Sequence, residues 1–167
     1  MTDENRFIAR AQWHAAEGSW TDGPARYLML RADTLMGMFR RLPPEARQSA
    51  LDAIAAATVE AGGESLRRYR DAAGLTAAEL APMIERTAAE LGWGRLEIAL
   101  GEGMIAMTVH HSPFALAAAP ADGPVCAPLA GILSAFAAIA LGRPARAREV
   151  ACAATGTECC RFEVERL

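Results

Sequence analysis

Four cysteines, at positions 126, 152, 159 and 160, crowd the last third of a 167-residue chain. Thiols grouped in this way can bind a metal, exchange disulfides or act as nucleophiles. A tetrahedral zinc ion needs four ligands, and thiolates joined by one imidazole or carboxylate supply them well. No histidine follows His111, so a set built on Cys126, Cys152 and Cys160 must be completed by an oxygen. Glu149, three residues before Cys152, is the best placed. The residues alone leave other readings open. Free cysteine is among the most buried residue types, so four ordinary core thiols would look the same. A disulfide from Cys126 to Cys152 or Cys160 is disfavoured by a reducing compartment. A catalytic thiol with His110 or His111 as base has no distance to support it in the spacing.

These ligands need a hairpin to bring them together. The segments Arg146–Ala153 and Glu158–Val164 read as two closing strands around Thr155-Gly156-Thr157. A three-residue turn centred on Gly156, where glycine tolerates positive φ, sets Cys152 opposite Cys160 on one sheet face. The same alternation sends Cys159 to the other face. A flat strand would also point Glu149 away from Cys152, so the site requires a bulge or bend there. Cys126 enters from the start of a helix over Leu129–Leu141, apolar nearly all round and hence expected to be buried.

Upstream, apolar positions recur at helical spacing. Leu35, Phe39 and Leu42 make one face of a short helix that stops at Pro43, and Pro44 suits the first turn of the next. That helix carries Leu51, Ile54, Ala55, Thr58 and Val59, with Gly62-Gly63 as a break or a place of close packing. Thr76 and Glu79 have capping-box spacing for a third helix, with Gly92 as its stop; Pro82 implies either a kink or a start near Pro82. From Trp93 the period changes to two. Leu96, Ile98 and Leu100, then Ile105, Met107 and Val109, form a hairpin around Gly101-Glu102-Gly103, and Ser112-Pro113 ends its second strand. The fold class that follows is α+β: an antiparallel sheet packed with helices, a helical N-terminal half and a zinc-stapled C-terminal hairpin.

About half the residues are apolar, enough for one domain with a substantial core. A net charge of −3 and a pI near 5.6, with arginines spread throughout, give no attraction to nucleic acid or anionic membrane. The N-terminus lacks the basic start and apolar run of a signal peptide, and no segment reaches the roughly 20 apolar residues of a membrane span. A cytoplasmic protein is expected.

The tail EVACAATGTECCRFEV, residues 149–164, together with HHSPFA (110–115) and GPVCAPLAGIL (123–133), resembles the 4-vinyl-reductase domain family over roughly residues 24–167. Residues 1–23 then form an N-terminal extension, expected to be helical and dimer-forming. In phenol- and xylene-sensing activators that carry this domain, three Cys and one Glu hold zinc in this order. The resemblance thus implies Zn on Cys126, Glu149, Cys152 and Cys160, a pocket for a small planar or aromatic molecule, and a homodimer. The sequence has no Walker loop and no helix-turn-helix, so it is more similar to the stand-alone members associated with bacteriochlorophyll biosynthesis and photosynthesis. It implies a non-catalytic carrier for a tetrapyrrole, with a partner enzyme of pigment biosynthesis. The alternatives are a sensor for a small aromatic that acts through a partner protein, and a true vinyl reductase. The last is placed lowest, because no dinucleotide fingerprint or iron–sulfur cysteine run is present. Trp93, Met107, His111, Phe114 and Phe136 are the candidate pocket residues, each with core packing as the plainer role. If Val109 points inward, His110 points out and His111 in.

Overall fold

Trp13, Trp20 and Tyr27 meet side by side across a small antiparallel ribbon. In the computed structural model, which describes residues 6–101 and 104–165, only Phe7–Arg10 (α1) is helical before residue 32. Gln12–His14 (β1), Ser19–Asp22 (β2) and Ala25–Tyr27 (β3) form a three-stranded meander. Trp13 pairs with Trp20, and Trp20 with Tyr27. The two indoles stand 5.3 Å apart, and such cross-strand aromatic pairs hold short ribbons together. This corrects the helix expected over residues 1–23, of which 1–5 lie outside the described residues. The boundary expected at residue 24 falls inside the β2–β3 turn, where Asp22 pairs with Ala25. Strands this short leave too few positions for a period of two to register.

Helices follow where their apolar rhythm requires them. Ala32–Arg41 (α2) buries Met36 and Phe39 and ends ahead of Pro43, which disfavours the helical region for the residue before it. Pro44–Ala73 (α3) starts with proline in its first turn. It runs unbroken through Gly62-Gly63, which therefore mark close packing. Ala77–Glu90 (α4) opens with the capping box: the Thr76 N–H donates to Glu79 Oε2 at 2.9 Å and the Glu79 N–H to Thr76 Oγ1 at 3.4 Å. The helix begins at Ala77 and continues through Pro82.

Arg95–Gly101 (β4), Met104–His110 (β5), Ala147–Ala151 (β6) and Cys160–Val164 (β7) form an antiparallel sheet in the order β4-β5-β7-β6. Leu96 pairs with Val109, Ile98 with Met107 and Leu100 with Ile105, as the alternation predicts. Residues 102 and 103 of the turn expected between these strands lie outside the described residues. Between β5 and β6 come Pro113–Ala118 (α5) and Ala127–Leu141 (α6).

Helix α6 lies between the sheet and α3, which explains why it is apolar all round. Leu129, Leu133, Phe136 and Ala137 are buried against Met107, Val109 and Phe162 of the inward sheet face. Helices α3 and α6 cross at very short range. A Cβ on Gly131 would lie 2.6 Å from the Ala55 carbonyl oxygen and 2.7 Å from Thr58 Cβ, so only glycine fits there. Among the described residues, no helix is long and apolar enough to cross a membrane.

Candidate metal centre and ligand cavity

The hairpin of β6 and β7 assembles the cluster through the irregularity that the sequence required. Below the bulge, Ala147 pairs with Val164 and Glu149 with Phe162; above it, Ala151 pairs with Arg161. Val150 is the extra residue, and the resulting rotation lets Glu149 and Cys152 turn inward together. The connection is longer than a three-residue turn. Ala153–Thr155 makes a turn of 3-10 helix, and Gly156 closes it at φ +99°, a conformation that costs a β-carbon about 1–2 kcal/mol. Cys126 arrives as the residue preceding α6.

One ligand atom from each of Cys126, Glu149, Cys152 and Cys160 lies within 4.8 Å of all the others. Cys126 Sγ and Cys160 Sγ are 3.7 Å apart, close to the roughly 3.8 Å edge of a tetrahedron whose metal–sulfur arms are about 2.3 Å. The Cys126 N–H donates to Glu149 Oε2 at 2.9 Å, while the buried Glu149 Oε1 has no hydrogen-bond partner. Ser112 Oγ sits 3.2 Å from Cys126 Sγ, and the Ala153 N–H donates to Cys160 Sγ at 3.3 Å. An orphaned carboxylate oxygen beside three thiols suits a cation, and these four residues could hold a metal ion. Cys159 is buried but outside the cluster.

By themselves the four acidic groups cannot all ionise at this spacing. Hydrogen bonds from Cys126 and Cys160 drive the Cys152 thiol down to about 2. Cys126 is pushed strongly up, first by its bond to Cys152, then by its bond to Cys160 and by burial. Burial above all raises Glu149 to about 8, against the Cys126 N–H that lowers it. A divalent cation would remove this conflict by balancing the additional charge.

A cavity of about 560 Å³ opens elsewhere, between β3, α3 and α4, with Ile132 of α6 as part of its wall. Leu66, Met83, Ile84, Leu91 and Trp93 make it largely apolar; Arg26, Tyr27, Arg68 and Tyr69 supply polar groups from the meander side. Burial, followed by neighbouring Tyr69 and Asp22, pushes the Tyr27 phenol up to about 12, so it stays a neutral donor. The cavity shares no residue with the metal cluster, whereas a pocket beside that cluster was expected.

Of the five expected pocket residues, only Trp93 reaches the cavity wall. Phe114 packs edge-on against Trp93, with ring centroids 5.7 Å apart. Met107 and Phe136 are sealed in the core. His111 is exposed rather than inward, because β5 ends at His110 and His111 takes a left-handed φ of +58°, so strand alternation no longer governs it. Sequence reasoning missed Tyr27, Tyr69, Arg26 and Arg68, since cavity walls drawn from a ribbon and a long helix share no local pattern. It missed Ser112 as a neighbour of the thiols, although a serine before proline at a helix start is a capping signal.

Residues 105–166 match the model of the 4-vinyl-reductase domain family. The chain carries a 4-vinyl-reductase domain. Its match runs from β5 through the metal cluster, while the cavity draws mainly on elements before it. No curated protein matches the chain in sequence. Among solved structures, the phenol-responsive sensory domain of the transcription activator PoxR, determined with phenol, is similar at a TM-score of 0.77 and 17% identity; the likeness covers 94% of this chain and 85% of that one. A vinyl-4-reductase family protein from Methanocaldococcus jannaschii gives a TM-score of 0.51 at 16% identity, covering 84% and 98%. A trafficking protein particle complex subunit 3 from Naegleria fowleri, covalently bound to palmitic acid, gives 0.55 at 10%, covering 80% and 93%. At these identities the likeness is one of fold.

Proposed function

We propose that this 4-vinyl-reductase-domain protein is a non-catalytic binding protein or carrier for a large, flat, apolar molecule of the tetrapyrrole class, a bacteriochlorophyll precursor, and that zinc on Cys126, Glu149, Cys152 and Cys160 is a closed structural clamp. The observation that carries the reading is the cavity. Its volume of about 560 Å³ lies within the roughly 300–1,000 Å³ of sites for drug-sized ligands, far beyond what a single phenol ring fills. Four protein ligands leave a zinc ion no open position for water, which is the mark of structural rather than catalytic sites. When bound, the ion would crosslink the start of α6 to the closing hairpin.

A second reading, a sensor for a small aromatic acting through a partner protein, draws support from the likeness to a phenol-responsive domain over nearly the whole chain. One experiment separates them. The purified protein is assayed for metal per chain and titrated with a magnesium porphyrin and with phenol, following absorbance and tryptophan fluorescence. Porphyrin binding with one zinc per chain is expected. Phenol binding without porphyrin binding would reverse the order of the two readings, and a metal-free protein would remove the clamp. Reduction of a vinyl group with a reduced nicotinamide and no second protein would replace both with an enzyme.

A further inference from the structure

We propose that Arg68 and Arg26 form a carboxylate-receiving rim on this cavity, so that its ligand is an apolar acid. The inference rests on the binding reading above and adds the chemical group that orients the ligand.

Both arginines line the cavity where it meets the β2–β3 hairpin. Arg26 lies on β3, opposite Thr21. Arg68 projects from α3 against Gly23. Its Nη2 donates to the Asp22 backbone oxygen at 3.3 Å and to the Tyr69 hydroxyl at 3.2 Å. These acceptors are neutral. The nearby Asp22 carboxylate is already engaged, accepting from Arg10 Nε at 3.2 Å and from the Tyr69 hydroxyl. Among the described residues, neither Arg26 nor Arg68 has an ion-pair partner. Glu64 borders the same cavity, one acid against two guanidinium groups.

A guanidinium presents a planar fork of donors that matches a carboxylate, and it stays charged at any physiological pH. Beyond this rim the wall is Leu66, Met83, Ile84, Leu91, Trp93 and Ile132, which asks for hydrocarbon or an aromatic ring. A ligand with a carboxylate at one end and a large apolar body satisfies both. Two chemical sources fit that description, a tetrapyrrole propionate and a fatty acid.

The test compares each acid with its ester on the full chain. Magnesium protoporphyrin IX and its dimethyl ester, and a dansyl-labelled undecanoic acid and its methyl ester, are titrated by fluorescence into wild type, Arg26→Gln and Arg68→Gln. Wild type should bind the acid about tenfold more tightly than the ester, the scale of a charge-assisted hydrogen bond. Each variant should lose about that factor for the acid and leave the ester unchanged. Arg68 also braces the β2–β3 turn, whereas no described hydrogen bond or ion pair holds the Arg26 side chain, so Arg26→Gln reads the charge without the brace. Equal binding of acid and ester by wild type, or equal weakening of both by Arg26→Gln, would overturn the rim while leaving the binding reading intact. Failure of every probe to bind would overturn both. A preference for the fatty acid would support the rim and assign the carboxylate to that source.

Discussion

The backbone N–H of Cys126 donates to the Glu149 carboxylate at 2.9 Å, joining the start of α6 to the bulged strand β6. One oxygen of this carboxylate is used by the chain and the other is left without a partner in a buried site, so Glu149 both positions the cluster and completes it.

Glu149→Gln should keep an oxygen for the Cys126 N–H and lose the charge. Metal per chain, measured on dialysed protein by mass spectrometry, should fall well below one in Glu149→Gln and in Cys160→Ser. Cys159→Ser should retain the wild-type content, since Cys159 lies outside the cluster. Loss of metal from Cys159→Ser alone would contradict the ligand assignment.

Chelation should lower the melting temperature. A metal present at about 100 times its dissociation constant stabilises the fold by about 2.7 kcal/mol, and roughly 2–4 °C per kcal/mol is usual at this size. A shift of several degrees in a calorimetric scan, reversed by added zinc, is the expected result; superimposable scans would rule out a structural ion.

At the crossing of α3 and α6, Gly131→Ala places a methyl 2.6 Å from the Ala55 carbonyl. Overpacking of this kind costs about 1–3 kcal/mol and should appear as a lower urea midpoint. Gly123→Ala, where a Cβ would meet nothing within 4 Å, should stay within about 0.5 kcal/mol of wild type.

Tyr69→Phe removes the hydroxyl that donates to the buried Asp22 carboxylate. A lost hydrogen bond to a charged group is worth about 1.5–3 kcal/mol, and the loss falls where the meander meets α3. Limited proteolysis should therefore cut sooner in the segment from Phe7 to Leu30, ahead of any change in the sheet β4-β5-β7-β6.

Trp93 and Phe136 divide the two roles that aromatic residues play here. Phe136→Ala, fully buried in the core, should cost about 3–5 kcal/mol in denaturant unfolding. Trp93→Ala, at the cavity wall, should cost less stability and weaken porphyrin binding more. Equal effects of the two on ligand affinity would place the binding site elsewhere.

Local chemistry carried much of this protein in its sequence. Thr76 and Glu79 specify a helix start because a capping box needs only residues three apart, and Leu96 to Val109 specify a hairpin because alternation is local. The pairing of Cys152 with Cys160, and the need for a bulge at Glu149, likewise followed from strand parity, and the structure contains both the register and the bulge. What depended on distant segments was decided by tertiary packing. His111 left its expected face because the strand ended one residue earlier. Met107 and Phe136 went to the core because α6 slots between the sheet and α3. The cavity wall joins Tyr27 to Tyr69 and Trp93, residues that no shared period links, because a void is defined by which surfaces fail to meet. Sequence spacing sets what one element presents to its neighbours; only the packing of all of them determines where the chain leaves room for something else.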